Sequence, residues 1–387
     1  MTASRFTWLA FGVSGFAALC GLARHALILH LLGLSSINDR LQVYLAVIYG
    51  VSMLNEAVRL GTINLLQREG LPKAMGAVLP LGLLFAVVTT GIFAWQLRPD
   101  SALLLVAAGV SGWLNMMMIQ MVTHRQRAGA FWPAHLVSLM PNLILLPGIA
   151  VVASLNLTDP VPALAWLHFV LPVVQIGILS FVRVPDTAAP AEDSGPGARL
   201  FLAHGSAAIG SMLFQSSLRS ASLLLGPGAL SLVNIGVQIY DSLRFILVDT
   251  YIGRKLSDWK ESTDLTPLLS LIQRLMLPQA VATVLGLAIG LFWAGQVGAL
   301  VVLVCALGSF GLRLVYFMAN AARIDEGLIW RYGAQDIAAG LLALALVNGG
   351  MAAGWAVPIG LLVWVWYLAK PLAQTWGLAR RLKEHAA

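Results

Sequence analysis

Apolar runs of about twenty residues follow one another along almost the whole of this 387-residue chain, separated only by short polar breaks. A run of that length is what an α-helix needs to cross the roughly 30 Å hydrocarbon core of a bilayer. Only 11% of the residues are charged, against about 25% in soluble domains. The expected fold is therefore all-α and integral to a membrane. The runs number about twelve: 6–34, 41–66, 75–96, 102–123, 133–154, 162–182, 200–226, 229–252, 267–293, 296–320, 331–351 and 354–376. Arg5 and the long apolar stretch behind it lack a small-residue cleavage site, so this stretch reads as a retained first helix.

Basic residues fix the orientation. With the N-terminus inside, the cytoplasmic segments carry Arg5, Arg68, Lys73, Arg125, Arg127, Arg183, Arg199, Arg254, Lys255, Lys260, Arg323, Arg331, Arg380, Arg381 and Lys383, and the opposite loops carry Arg40 and Arg98. Both termini are expected in the cytoplasm. The net charge of +7 then reports orientation and headgroup contact, not nucleic-acid binding.

The least apolar stretch contains Asp186, Glu192 and Asp193 together with proline and glycine, and reads as a cytoplasmic linker over 184–199. It divides the chain into six-helix bundles at 1–183 and 200–376, with a central cavity between them and a basic tail at 377–387. A weak internal repeat fits that division. Leu31-Leu32-Gly33 precedes a helix with Glu56 and Arg59, and Leu224-Leu225-Gly226 precedes one with Asp241 and Arg244. An arginine stands shortly before each glycine, Arg24 and Arg219. Repeats of this kind suit two bundles that rock against each other.

Charge inside the spans carries the functional signal. Arg24, Arg59, Arg219, Arg244 and Arg313 interrupt apolar segments, where a mid-membrane charge costs roughly 2.5–3.5 kcal/mol on insertion scales. Such residues face a wet cavity or a partner. In the eighth span Asn234, Gln238, Asp241 and Arg244 share one helix face, and Asp249 continues it. Gln215 and Arg219 form a second stripe at i, i+4. Estimated depths bring Glu56 near Arg24. Three readings compete there: a structural ion pair, an anion held by Arg24 with Glu56 as gating partner, and snorkelling to an interface. Arg219 has snorkelling as a strong rival to a cavity role. Arg274 reads as an interfacial anchor.

His25, His30, His135, His168 and His204 are scattered without metal-ligand spacing, so no metal and no cofactor are expected. No Walker A pattern occurs. The drive would come from membrane potential, an ion gradient or substrate consumption, with Asp241 or Asp249 as candidates for ion coupling.

Gly21-Leu22-Ala23-Arg24, Leu32-Gly33 and Asn38-Asp39, with Ser222-Leu223-Leu224-Leu225-Gly226-Pro227-Gly228-Ala229-Leu230-Ser231 and Arg254-Lys255-Leu256-Ser257, resemble the MurJ/MviN lipid II flippases. The wider group is the MOP flippase superfamily, which also holds Wzx-type polysaccharide flippases and MATE exporters. The resemblance carries over Arg24 and Asp39. It departs where the family has further arginines: those positions here are Ala18, Asn55 and Glu56, and the eighth-helix arginine falls near Gln238.

The resemblance implies a flippase of a bacterial inner membrane. It would move a polyprenyl-diphosphate-linked saccharide by alternating access, for exopolysaccharide or cell-envelope biosynthesis. Arg24 would contact substrate on the strength of the resemblance, and Arg59, Arg244, Arg219 and Gln238 on the strength of their places within the spans. Asp39, Glu56, Asp241 and Asp249 would gate or couple. Membrane lipids, a polysaccharide polymerase and glycosyltransferases are the expected partners. The alternatives are a MATE-like ion-coupled exporter, a membrane-embedded glycosyl- or acyltransferase, and a non-transporting scaffold.

Overall fold

In a computed structural model, the residues described are 3–54, 76, 79–127, 130–183, 197–244, 281, 326–350, 354 and 356–386. Among them no strand occurs. The helices are α1 (Ala3–Leu32), α2 (Ser36–Ser52), α3 (Leu79–Leu97), α4 (Ala102–Arg127), α5 (Phe131–Ser154), α6 (Val161–Phe181), α7 (Gly197–Leu223), α8 (Ala229–Arg244), α9 (Glu326–Gly349), α10 (Ala356–Trp364) and α11 (Lys370–Ala386). A π-helical turn, Val365–Ala369, joins the last two.

Local chemistry sets the ends. Gly33 and Gly226 close α1 and the α7 end with positive φ. Ser35 caps α2, its hydroxyl accepting from Asn38 N at 3.3 Å. Pro160 and Pro162 open α6, where no intrahelical N–H donor is needed.

Three boundaries differ from those expected. The second span does not run unbroken from 41 to 66: α2 stops at Ser52, and Met53–Leu54 form a turn whose bonds tighten to i−3, as in Leu54 N to Val51 O at 3.2 Å. Helix α7 begins at Gly197, inside the segment read as linker. The segment read as a basic tail is helical, because α11 runs on to Ala386. The spans at 267–293 and 296–320 lie outside the described residues except for Val281.

The N-terminal helices pack α1 on α5, α2 on α4 and α4 on α6. Tyr44, Phe93, Leu145 and Leu164 fill the core between them. In the C-terminal half α7 lies along α9, and Phe214, Leu218, Ala343, Ile359 and Trp366 share a second core. The two helices approach so closely that a Cβ on Gly210 would overlap the Asp336 backbone. Small residues allow this packing where lipid supplies no hydrophobic drive between helices.

Polarity is inverted relative to a soluble protein. Phe16 and Leu103 are 61% and 69% exposed, whereas Arg24 and Arg219 are 7% and 3% exposed. Five described helices are long and apolar enough to cross a bilayer: Gly12–Leu32, Leu79–Leu97, Ala102–Arg125, Trp132–Ser154 and Val161–Phe181. The chain is a multi-pass membrane protein.

Candidate functional site

The two halves meet where the α1–α2 loop touches the α7–α8 loop. The Asp39 carboxylate reaches across to the start of α8. Oδ2 accepts from Gly228 N at 2.6 Å, and Oδ1 accepts from Ser231 N at 2.9 Å and Ser231 Oγ at 2.7 Å. A carboxylate thus caps a helix of the other half, where free N–H groups and the helix dipole favour negative charge. Gly228 is bound to be glycine twice over. Its φ is +84°, and a Cβ there would lie 2.7 Å from the Leu34 carbonyl carbon.

Behind this cap a buried chain of amides links the halves. Asn38 Nδ2 donates to Gly33 O at 2.9 Å, and Gln42 Nε2 donates to Asn38 Oδ1 at 3.2 Å. Asn234 Nδ2 donates to Gln42 Oε1 at 3.1 Å. Arg219 joins the chain, with Nε donating to Asn234 Oδ1 at 3.0 Å and Nη1 to Gln215 Oε1 at 2.5 Å. Arg219 is therefore no snorkelling anchor. Its guanidinium is turned inward and engaged by neutral amides, because those partners lie on α7 and α8 at the same depth. On the neighbouring α3, Gln96 O accepts from Ser220 Oγ at 3.2 Å.

The first turns of α2 and two loops of the N-terminal half are tied together. Arg40 Nη2 pairs with Asp100 Oδ2 at 2.6 Å and Asp159 Oδ2 at 3.2 Å. Tyr44 donates its hydroxyl proton to Asp100 and accepts from Ser101 N at 3.0 Å. Burial alone would push the Asp100 carboxyl up. The Tyr44 hydrogen bond and the Arg40 guanidinium outweigh it and hold the group below its ordinary 3.8.

Arg24 lies within the N-terminal half. Its Nη2 meets His25 Nε2 at 2.6 Å, and its Nε has no partner. No carboxylate pairs with it among the described residues. Glu56, its expected partner, lies outside them, as do Arg59, Asp249, Arg274 and Arg313. The backbone of α8 carries Gln238, Asp241 and Arg244; their side chains lie outside what is described, so of that polar face only Asn234 is placed.

Two groups escaped sequence reasoning. His168 is buried on α6, with Nδ1 donating to the Leu164 carbonyl at 2.7 Å and Nε2 without a partner. In the C-terminal half, Lys370 pairs with Asp336 and sits 3.8 Å above the Trp366 ring, which stacks on Phe214 at 4.2 Å. One acid and one base at similar depths in the last two spans were the available signal.

Among the described residues this is an all-helical membrane protein in which the start of α2 is bonded to the start of α8. Its fold is similar to those of solved MATE transporters and of the lipid II flippase MurJ. A multidrug resistance MATE family transporter in an inward-facing conformation matches with a TM-score of 0.55 at 14% identity, over 96% of both chains. The lipid II flippase MurJ, in an inward closed conformation, matches with a TM-score of 0.58 at 13% identity, over 98% of this chain and 90% of its own. A variant of the Vibrio cholerae MATE transporter VcmN gives a TM-score of 0.51 at 15% identity, over 99% and 98%. No protein-family model matches the chain, and no curated protein matches it in sequence.

Proposed function

We propose that the chain is a flippase for a polyprenyl-diphosphate-linked saccharide, working by alternating access of its two halves in a bacterial inner membrane with both termini cytoplasmic. The observation that carries this reading is Arg24: a buried guanidinium with no carboxylate partner among the described residues and an unpartnered Nε. A buried cation without a counter-charge is costly, and a diphosphate is the anion such a lipid carries. Guanidinium suits phosphate oxygens through its planar set of donors. Asp39 serves as the latch at the end where the halves touch. Its three hydrogen bonds to Gly228 and Ser231 close that end, and their release would open it.

The fold likeness to MATE transporters favours a second reading, export of a cationic compound coupled to an ion. That function needs carboxylates facing the substrate, whereas Asp39 and Asp336 are both engaged within the protein.

Proteoliposomes carrying a fluorescent lipid-linked oligosaccharide discriminate the two. Headgroup transfer that is abolished by Arg24→Ala in a correctly inserted protein supports the flippase. Absence of transfer, together with proton- or sodium-dependent efflux of a cationic dye, would establish the exporter instead.

A further inference from the structure

Helices α1 and α5 pack side by side, and their contacts advance in step. Ser14 Oγ meets His135 Nε2 at 3.2 Å. Seven residues on, Asn142 stands against Gly21: a Cβ on that glycine would lie 3.0 Å from Asn142 Oδ1. Seven residues further, Ile28 and Ile149 are both buried in the core of this half. Seven residues make about two helical turns, so these positions form one seam between two parallel helices. Asn142 therefore faces α1 rather than lipid. It stands near the middle of the span Trp132–Ser154, as Gly21 does in Gly12–Leu32. A polar side chain at that depth faces a protein partner or a wet cavity. The half-buried amide of Asn142 makes no hydrogen bond to a described residue.

Arg24 is the next charged residue along that seam. Gly21, Arg24, His25 and Ile28 make up one buried face of α1. Arg24 is one turn beyond Gly21, about 4.5 Å along the axis, and helical side chains lean back toward the N-terminus. The Arg24 side chain thus leans toward the level of Gly21, where glycine leaves room and Asn142 stands on the facing helix. Its Nη2 is engaged by His25 Nε2 at 2.6 Å, and its buried Nε has no partner. An unanswered guanidinium nitrogen and an unanswered amide share one stretch of the seam.

We propose that Asn142 is a second contact for the anion held by Arg24, its amide N–H donating to an oxygen of a lipid diphosphate. The inference rests on Arg24 being the anion site. A diphosphate presents more acceptor oxygens than one guanidinium answers. A neutral amide adds a donor without placing a second cation beside the first. The amide also limits what the site accepts, because an apolar group there would leave its N–H unpaired. Both contacts lie on the N-terminal half, on α1 and α5, so the diphosphate stays with that half when the halves part.

The test uses the full chain in detergent, with farnesyl diphosphate as the lipid-like probe and inorganic pyrophosphate as its tail-free counterpart. Calorimetry reads affinity, and thermal melting without probe reads stability. Asn142→Leu should weaken both probes by about tenfold, the loss of one hydrogen bond to a charged group, with the melting temperature kept. Asn142→Asp should act in two opposite directions. A carboxylate beside Arg24 answers its charge, so the melting temperature should rise, while binding of both probes should be lost. With Arg24→Ala added, the same change should lower the melting temperature, because the carboxylate is then buried alone. If Asn142→Asp lowers it in both backgrounds, the two side chains do not face one another and the proposal is overturned. A loss in Asn142→Leu confined to farnesyl diphosphate also overturns it, since the residue then meets the tail. So does native affinity in both Asn142 variants with binding abolished by Arg24→Ala; the role of Arg24 then stands. If native protein and Arg24→Ala behave alike toward both probes, the anion site itself is wrong and both readings fall.

Discussion

Asp39 and Ser231 stand 192 residues apart, yet one carboxylate oxygen of Asp39 accepts both the backbone N–H and the hydroxyl of Ser231. The contact joins the two halves of the molecule at a helix N-terminus. A capping interaction of this kind is worth about 0.5–2 kcal/mol, and more when the acceptor is ionised and buried. Asp39→Asn should weaken it while keeping the shape. Spin labels at the exposed positions Ile37 and Leu224 would report the gap. The expected result is a new, longer distance population in the variant; an unchanged distribution would remove Asp39 as the latch.

Gly228 permits that approach. A Cβ there would be strained by φ and would strike the Leu34 backbone. Gly228→Ala should cost at least about 1–3 kcal/mol of closed-state stability. The check is the same spin-label pair with thermal unfolding in detergent. Gly226→Ala is the control: it is strained by φ alone, with open space around its Cβ.

Arg219 donates to a buried amide chain, so its loss strands several acceptors. Arg219→Met should destabilise the protein by about 3–5 kcal/mol, because Gln215 and Asn234 keep their polar atoms without a partner. Adding Gln215→Leu and Asn234→Leu should recover part of the loss. Thermal melts of the single and triple variants, combined as a mutant cycle, decide it. No recovery would mean that the amides are satisfied elsewhere.

The Lys370–Asp336 pair should behave as a buried ion pair does. Removing Lys370 alone, as Lys370→Met, should be severe, at about 3–5 kcal/mol. The double change with Asp336→Leu should be close to neutral in folding. If transport also survives in the double variant, the pair is structural; if folding is kept and transport is lost, the pair takes part in the cycle.

The loop cluster around Arg40 makes a prediction in pH. The folded Asp100 carboxyl titrates below its unfolded value. Its contribution is therefore present above about 3.8 and lost as pH falls through the depressed folded value. Native protein should lose melting temperature relative to Asp100→Asn only below about pH 4. A difference that persists unchanged at pH 3 would contradict the pairing. The cluster is half exposed, so added salt should shrink the effect.

Much of the fold is legible in the amino-acid order, because a bilayer enforces one rule over and over. Twenty apolar residues in a row have few alternatives, and α3 to α6 fall within a few residues of the expected spans. The i, i+4 pair Gln215–Arg219 is legible for the same reason: helical spacing alone places the two side chains together. Glycine before a polar loop marks the ends of α1 and α7. The end of α2 at Ser52 is not legible, since Gly50 lies inside the helix and no glycine or proline follows at Met53–Leu54.

Partners across the chain are a different matter. Periodicity states which face a residue occupies, not what meets it. Asp39 is legible as a lone acid in a short loop, and Arg219 as a charge in an apolar helix. That the first caps α8, and that the second donates to Asn234, depends on the packing of α2 against α7 and α8. His168 carries no signal at all in one dimension. Its Nδ1 is committed to the Leu164 carbonyl of its own helix, and that its Nε2 is buried without a partner is visible only in the packed structure. Sequence is enough for a membrane-spanning helical chain with cations inside it, through the cost of leaving backbone and charge unsatisfied in lipid. Which of those charges the protein already answers, and which remain open, is settled in three dimensions, because it depends on distances of a few ångström between helices far apart along the chain.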